Sequence, residues 1–296
     1  MDYLNVKDSK HLRLEVPEDS VTYKNGRIEA DFEYSEIFVP STTQERVFDV
    51  TTKNLLDGFL KGQSCLIMAY GVTGSGKTYT IMGPEGNQGL IPRALHYIIN
   101  GMGTFDFKSR FDTNEEKVTL EMSFLEDYQN CIYDLLSPTI RVGQSKPMLN
   151  ARSDANGFLH IINLTEKQIS SLKEGMDVIA MGTKEKHVAE TKMNLDSSRS
   201  HTMCTFNLIR TNKQFMREII ATCRIVDLAG SERLNRTNAS GERSQEAGHI
   251  NTDLMYLMQC LRSLVDSQSK PNQRVIFRNC RLTHLLSVGE EGRGEA

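Results

Sequence analysis

Three strings in this chain carry groups that can hold and attack a phosphate. The first is Gly71-Val72-Thr73-Gly74-Ser75-Gly76-Lys77-Thr78, which fits the pattern G-x-x-x-x-G-K-[ST]. Its glycines let backbone N–H groups close around phosphate oxygens. Lys77 is placed to bridge a β- and a γ-phosphate, and the Thr78 hydroxyl to ligate Mg²⁺. A helix predicted to start at Lys77 adds the positive end of its dipole. The second string is Asn194-Leu195-Asp196-Ser197-Ser198-Arg199-Ser200-His201. Ser197 and Ser198 offer hydroxyls for Mg²⁺ or water, and Arg199 a guanidinium for charge. The third is Asp227-Leu228-Ala229-Gly230-Ser231-Glu232. Asp227 closes a predicted strand, the place of a Mg²⁺-linked carboxylate. Gly230 can present its N–H to a γ-phosphate, and Glu232 follows two residues later. Alone, the first string implies only nucleoside-triphosphate binding, and an isolated Ser-Ser-Arg-Ser reads as a surface loop or a phosphorylation site. Together and in this order they describe a nucleotide hydrolase.

The elements around them fit. Ser41 or Thr42 can cap a helix running to about Lys61, with Val47, Phe48, Leu55, Leu56, Phe59 and Leu60 on its apolar face and Gly62 as its stop. Cys65 to Tyr70 is an unbroken apolar run and reads as a strand buried on both faces, feeding the Gly-rich loop. Short helices are expected at about Lys77 to Met82 and, with Pro92 in its first turn, from Ile91 to Asn100. Val118, Leu120, Met122 and Phe124 alternate as in a strand. Cys131 to Leu136 reads as a short helix or strand, and Glu166 to Met181 as a helix. Thr202 to Arg210 and Glu218 to Asp227 read as a hairpin leading into the Asp227 loop. A second hairpin is expected at Tyr23-Lys24-Asn25-Gly26-Arg27. Ile250 to Ser267 has the apolar period of a helix. Interleaved strands and helices predict one α/β domain over residues 1–296, a P-loop NTPase with a central, mostly parallel or mixed sheet flanked by helices.

Bulk properties narrow the partners. The chain has 296 residues, 39% hydrophobic and 25% charged, enough for a large soluble core. No run of about 18 apolar residues occurs, and no apolar signal region follows Met1, so neither a membrane nor a secretory route is expected. The six cysteines are scattered and form no C-x-x-C, which reads as reduced core thiols in a cytosolic protein. The net charge of −3 argues against nucleic acid as a partner. One local exception exists. Between Leu257 and His284 lie Arg262, Lys270, Arg274, Arg278 and Arg281 against Asp266 alone, a patch suited to an anionic surface or to a solvated helix face.

Tyr70 to Gly83, with Gly71, Val72, Thr73, Gly74, Ser75, Gly76, Lys77, Thr78 and Tyr79 in its loop, resembles the phosphate loop of kinesin motor domains. Asn194-x-x-Ser197-Ser198-Arg199-Ser200-His201 is similar to kinesin switch I, and Asp227 to Glu232 to switch II. Glu246-Ala247-Gly248-x-Ile250-Asn251 resembles the start of the helix that kinesins lay on tubulin, and Arg281-Leu282-Thr283-x-Leu285-Leu286 the next tubulin-facing helix. The resemblance covers roughly Ser41 to Leu286, and Ser240-Gly241-Glu242-Arg243 leans toward the mitotic kinesin-like protein branch. It implies an ATP- and Mg²⁺-dependent motor head. Arg199 and Glu232 would pair to shut the site, Asn194, Ser198 and Gly230 would serve catalysis, and Thr78, Ser198 and Asp227 the metal. Asn251, Arg262, Lys270, Arg274, Arg278 and Arg281 would meet microtubules in the cytoplasm or on the spindle. Oligomeric state would be set by coiled-coil regions outside this chain.

Two departures qualify that expectation. Nothing in residues 1–20 matches the Arg-x-Arg-Pro-like segment that contacts adenine in the family, and the stretch from Ser287 to Ala296 is Gly/Glu-rich where the family has a strand and helix. Loss of those strands would expose unpaired backbone. A truncated or degenerate head that binds microtubules or nucleotide without productive motility is therefore the alternative. An unrelated P-loop GTPase is disfavoured, since the Asn-Lys-x-Asp guanine string is missing.

Overall fold

The computed structural model describes residues 3–16, 28–105, 117–129, 131–137, 148–153, 159–192, 199–211, 216–232, 242–269 and 276–287; at 159, 187–192 and 242–251 it describes the backbone alone. The chain divides into two compact units, residues 1–47 and 48–296.

The first unit is a three-stranded antiparallel meander of β1 (Leu4–Val6), β2 (His11–Glu15) and β3 (Glu29–Glu33). Asp8 closes the β1–β2 turn, accepting from the Lys10 and His11 N–H groups at 2.8 and 2.9 Å. Arg13 on β2 reaches Asp31 and Glu29 on β3. Arg13 and Lys7 together hold the Asp31 carboxyl at about 2. These pairs are exposed, so they fix register more than they stabilise. The hairpin expected at Tyr23 to Arg27 lies outside the described residues.

The single helix expected from Ser41 to Lys61 is two helical segments, α1 (Gln44–Thr51) and α2 (Lys53–Leu60), meeting at the fully buried Thr52. The i−4 bonds run through the junction, Thr52 N to Phe48 O and Leu56 N to Thr52 O. Gly62 ends the run at φ +90°, as expected.

The second unit is built on a seven-stranded sheet. Its strands are β4 (Cys65–Ala69), β5 (Lys117–Tyr128), β6 (Cys131–Asp134), β7 (Met148–Leu149), β10 (Lys167–Ile169), β11 (His201–Thr211) and β12 (Arg217–Asp227). A separate pair, β8 (Ala151–Ser153) and β9 (Leu159–Ile161), stands outside it. The order is β4-β12-β11-β5-β6-β7, with β10 on β5, and only β4 and β12 run parallel. The sheet is therefore mixed with antiparallel pairings dominant; β5–β6 and β11–β12 are hairpins, while helices lie between β4 and β5 and between β10 and β11. The β11–β12 hairpin is the one read from the sequence. Cys131 to Asp134 resolves as strand.

Two expectations change here. Cys65 to Ala69 is half-buried throughout, not buried on both faces, because among the described residues β4 pairs on one side only. The helix expected from Glu166 begins at Leu172; Lys167 to Ile169 pairs with β5 instead. Ser171 and Glu174 make the capping signal, with Glu174 N donating to Ser171 Oγ at 3.2 Å and Ser170 N to Glu174 Oε2 at 2.8 Å.

Helices cover both sheet faces. The fully buried Leu56 and Phe59 of α2, and Leu95 and Ile98 of α4 (Leu90–Thr104), belong to one side with α5 (Leu172–Lys192). Against the other side, α6 (Glu242–Ser269) and α7 (Arg281–Leu286) place Leu254, Leu257, Leu282, Leu285 and Leu286 on Leu125, Met203 and Val226. The short helix α3 (Lys77–Ile81) precedes α4, and the excursion between them is closed by Gly89 N donating to Met82 O at 2.8 Å. Gly83 has φ +69°, and a Cβ there would meet backbone of Gln88 at 2.8 Å, so only glycine fits.

Two buried polar side chains mark the face toward α6 and α7. Asp127 on β5 lies directly opposite His201 on β11. His201 Nδ1 accepts the Ala229 N–H at 3.0 Å, while His201 Nε2 and Asp127 Oδ1 have no partner among the described residues. Burial, reinforced by Asp253 and partly offset by Arg281, pushes the Asp127 carboxyl up to about 7. Burial, with Lys186 adding to it, pushes His201 down to about 4.

The raised Asp127 value costs stability as pH rises from 3.8 to about 7, because only the folded state then keeps the proton. The depressed His201 value costs stability as pH falls from 6.5 to about 4. Between those limits the two slopes oppose. Asp127→Asn leaves only the histidine slope, so the variant gains stability from pH 4 to 6.5. At pH 7.5 it exceeds the wild type by about 1–4 kcal/mol, at about 1.4 kcal/mol per pH unit of separation. Denaturant unfolding at pH 5 and pH 7.5 checks this; a variant weaker at pH 7.5 would show that the carboxylate is stabilising.

Candidate active site

The loop after β4 wraps tightly because its glycines take backbone that other residues avoid. Gly74 has φ +76° and Gly76 φ +91°, the latter capping α3. Lys77 Nζ folds across its own loop, donating to Gly71 O and Val72 O at 3.0 Å each. The ammonium thus sits among carbonyls at the loop mouth, where an anion would draw it outward.

The parallel register sets Ala69 beside Asp227. Each strand then delivers its loop to the same place. Thr78 Oγ1 donates to Asp227 Oδ2 at 2.6 Å. Lys186, from α5, reaches the same oxygen at 3.5 Å, and both side chains are under a tenth exposed. The buried carboxylate is therefore balanced by one cation and one hydroxyl. Thr202 Oγ1 is buried without a partner among the described residues and lines the same cavity of about 270 Å³, with Thr78, Asp227, Lys186, Phe124 and Ile91. Hydroxyl and carboxylate oxygens suit a hard divalent cation that keeps most of its waters. A Mg²⁺–nucleotide fits this donor set.

The loop beyond β12 is stitched to the phosphate loop. Ser231 N donates to Gly71 O at 3.1 Å, and the Glu232 carboxylate accepts from the Thr73 N–H at 2.9 Å and from the Thr73 hydroxyl. Burial raises the Glu232 carboxyl, but the two Thr73 bonds and Lys77 outweigh it and hold it below the ordinary value. Gly230 lies between; a Cβ there would collide with the Glu232 carboxylate and the Thr73 hydroxyl. Behind the loop, His201 holds Ala229, and Ser200 Oγ donates to Glu126 Oε1 at 2.8 Å.

Thr73, Lys77, Thr78, Asp227, Gly230 and Glu232 are thus brought together. Asn194, Ser197 and Ser198 fall outside the described residues, and Arg199, at the border, is half-buried. Tyr79 is 53% exposed, with its hydroxyl accepting from Asn87. Of the basic patch, Lys270 and Arg274 are outside the described residues, and the backbone alone of Asn251 is described. Arg262 and Arg278 are exposed, whereas Arg281 is half-buried and its charge is felt by Asp127. Lys186, Thr202 and the Thr73–Glu232 bond were not anticipated. Nothing local in the sequence marks them, because each partner is supplied by a distant strand or helix.

The Kinesin motor domain family matches residues 5–293, which includes residues 5–40 that the motifs alone left out. Kinesin-like protein KIF23 of Mus musculus is 32% identical over 99% of this chain, which spans 38% of that relative's length. Kinesin-like protein KIN-14N of Oryza sativa subsp. japonica is 36% identical over 86% of the chain and 33% of its own length. A solved structure of a fast kinesin superposes with TM-score 0.75 at 27% identity, covering 96% of this chain and 74% of that one. A solved kinesin 6 gives the same score and identity, with 84% of that chain covered. With the family match over residues 5–293 and a 32% identical relative covering 99% of the chain, the chain belongs to the kinesin motor domain family.

Proposed function

We propose that this chain is an ATP-hydrolysing, microtubule-based motor domain whose nucleotide state reaches α6 through the Asp227–Glu232 loop. The observation that carries the reading is the Thr73–Glu232 bond, which ties that loop to the phosphate loop. A γ-phosphate entering the loop competes for the same N–H and for Lys77. Occupancy of the site is then felt by the segment that leads to α6, a coupling of the segment-ordering kind.

In this reading Gly71 to Tyr79 cradle the nucleotide, and Lys77 turns from its carbonyls to the β- and γ-oxygens. Thr78, Asp227 and Ser198 would hold Mg²⁺, whose charge offsets that of the phosphates. Gly230 offers its N–H to the γ-phosphate. Glu232, released from Thr73, pairs with Arg199 and orients the attacking water, with Asn194 and Ser198 supporting the charge that develops. Asn251, Arg262, Lys270, Arg274, Arg278 and Arg281 form the tubulin face, and the cytoskeleton, including the spindle, is the expected location. The one-sided pairing of β4 favours a second reading, a head that grips nucleotide or microtubules without turnover. Phosphate release measured with and without microtubules separates the two.

Lys77→Ala is expected to abolish ATP–Mg²⁺ binding in calorimetry; equal affinity in wild type and variant would remove Lys77 from the site. Glu232→Ala is expected to keep nucleotide bound but lower turnover by about 10²-fold or more. Turnover at the wild-type rate would exclude Glu232 from hydrolysis. A quadruple alanine variant of Lys270, Arg274, Arg278 and Arg281 should lose most microtubule co-sedimentation, a single one little. Wild-type binding should weaken as salt rises, since screening acts within about 10 Å at 0.1 M. A quadruple variant that pellets like wild type at every salt concentration would place the tubulin face elsewhere.

A further inference from the structure

The strand that carries the phosphate loop also carries a thiol that the site does not use. Cys65 opens β4, and in the parallel register it stands directly opposite Cys223 of β12. Directly paired residues share a face, and neighbouring strands lie roughly 4.8 Å apart. That is inside the Cα separation of roughly 4.4–6.8 Å over which two cysteines can be bridged. Each thiol shifts the other's titration, as neighbours on one face do. Leu66 and Met68 turn to the opposite face and pack on the core beneath α6 and α7. The cysteine pair therefore faces the same side as Ala69 and Asp227, four residues, roughly 13 Å, before the catalytic loops.

The two thiols differ in access and in charge. Cys65 is half-buried on a strand paired on one side among the described residues, whereas Cys223 is fully buried. Cys223, able to donate its S–H to the Cys65 sulfur, favours the Cys65 thiolate and lowers its pKa. The same donation, with burial, raises that of Cys223. A low, reachable thiol beside a high, shielded one divides the work into attacking and resolving roles. Three of the other four cysteines are placed differently, and the fourth, Cys131 at the start of β6, pairs with Tyr128 of β5 and not with a cysteine. Cys204, diagonal to Cys223 on β11, is fully buried and held protonated by that burial. Cys260 donates to Ile276 O at 3.0 Å, and Cys280 caps α7 through Thr283.

We propose that Cys65 and Cys223 form a thiol–disulfide exchange site, closed by low-molecular-weight disulfides of the glutathione type into a reversible cross-strand bridge. The Cys65 thiolate attacks one sulfur of the small disulfide, and its S–S bond breaks. One thiolate leaves and takes up a proton, and Cys65 holds a mixed disulfide. Cys223 gives up its proton and attacks the Cys65 sulfur, expelling the second small thiolate, which is protonated in turn. Two protein thiols lose two electrons, and one small disulfide becomes two small thiols. The bridge fixes β4 to β12, and so holds the phosphate loop in register with the loop that begins at Asp227.

The test uses the full chain, oxidised glutathione, a thiol count and peptide mapping under non-reducing conditions. The wild type should lose two of its six free thiols, yield a peptide joining Cys65 to Cys223, and recover both thiols with dithiothreitol. Cys223→Ser should stop at a stable glutathione adduct on Cys65. Cys65→Ser, a change at the half-exposed edge that the fold tolerates, should leave Cys223 unmodified. Retention of all six thiols by the wild type, a persistent glutathione adduct on wild-type Cys65, or a bridge between another pair would each overturn the proposal.

Discussion

The site depends on five residues of parallel pairing between β4 and β12. Parallel strands end on the same side of a sheet, so the turns that follow them emerge together. Here those turns are the phosphate loop and the Asp227–Glu232 loop. The contacts between the two loops follow from this, from Thr78 on Asp227 to Thr73 on Glu232. The rest of the sheet is antiparallel, and its pairings, β5 with β11 included, join segments closer in sequence than this one; β4 and β12 lie about 160 residues apart, as the separation of 159 between Thr73 and Glu232 records.

The same geometry concentrates charge in a poorly hydrated place. Asp227 is buried, and Lys186 and Thr78 are what make that burial tolerable. On the opposite face of the sheet Asp127 and His201 are buried with oxygen and nitrogen atoms unmatched. Neither gains a full partner, so burial favours the neutral form of each, raising the Asp127 carboxyl and lowering His201. His201 nonetheless positions Ala229, so the unmatched pair lies directly behind the Asp227–Glu232 loop. A polar group kept at such a cost beside this loop is a constraint on how the loop can rest.

The phosphate loop was legible because its rule is local: glycines where backbone must turn left-handed, then lysine and threonine at fixed offsets. The β11–β12 hairpin was legible by alternation and by its polar turn. The start of α5 was misjudged because apolar periodicity from Glu166 onward outweighed the capping pair Ser171 and Glu174, which marks the true beginning. The burial of β4 was misjudged because an apolar run does not say how many neighbours it will have. Lys186 and Thr202 were missed for a related reason. Lys186 lies 41 residues from Asp227, and no spacing rule reaches that far.

The excursion between α3 and α4 is closed backbone to backbone, Gly89 against Met82, with Gly83 shaped to permit it. Its residues Pro84, Glu85, Gly86 and Gln88 line a groove of about 810 Å³ with Met176, Ile179 and Lys184 of α5. A stem closed in this way insulates the two helices from whatever the tip contains. Lengthening such a tip costs only about 0.6 kcal/mol per doubling. The wall of the groove can therefore be rewritten, residue by residue or by insertion, while the helix that holds Lys77 and Thr78 stays where it is.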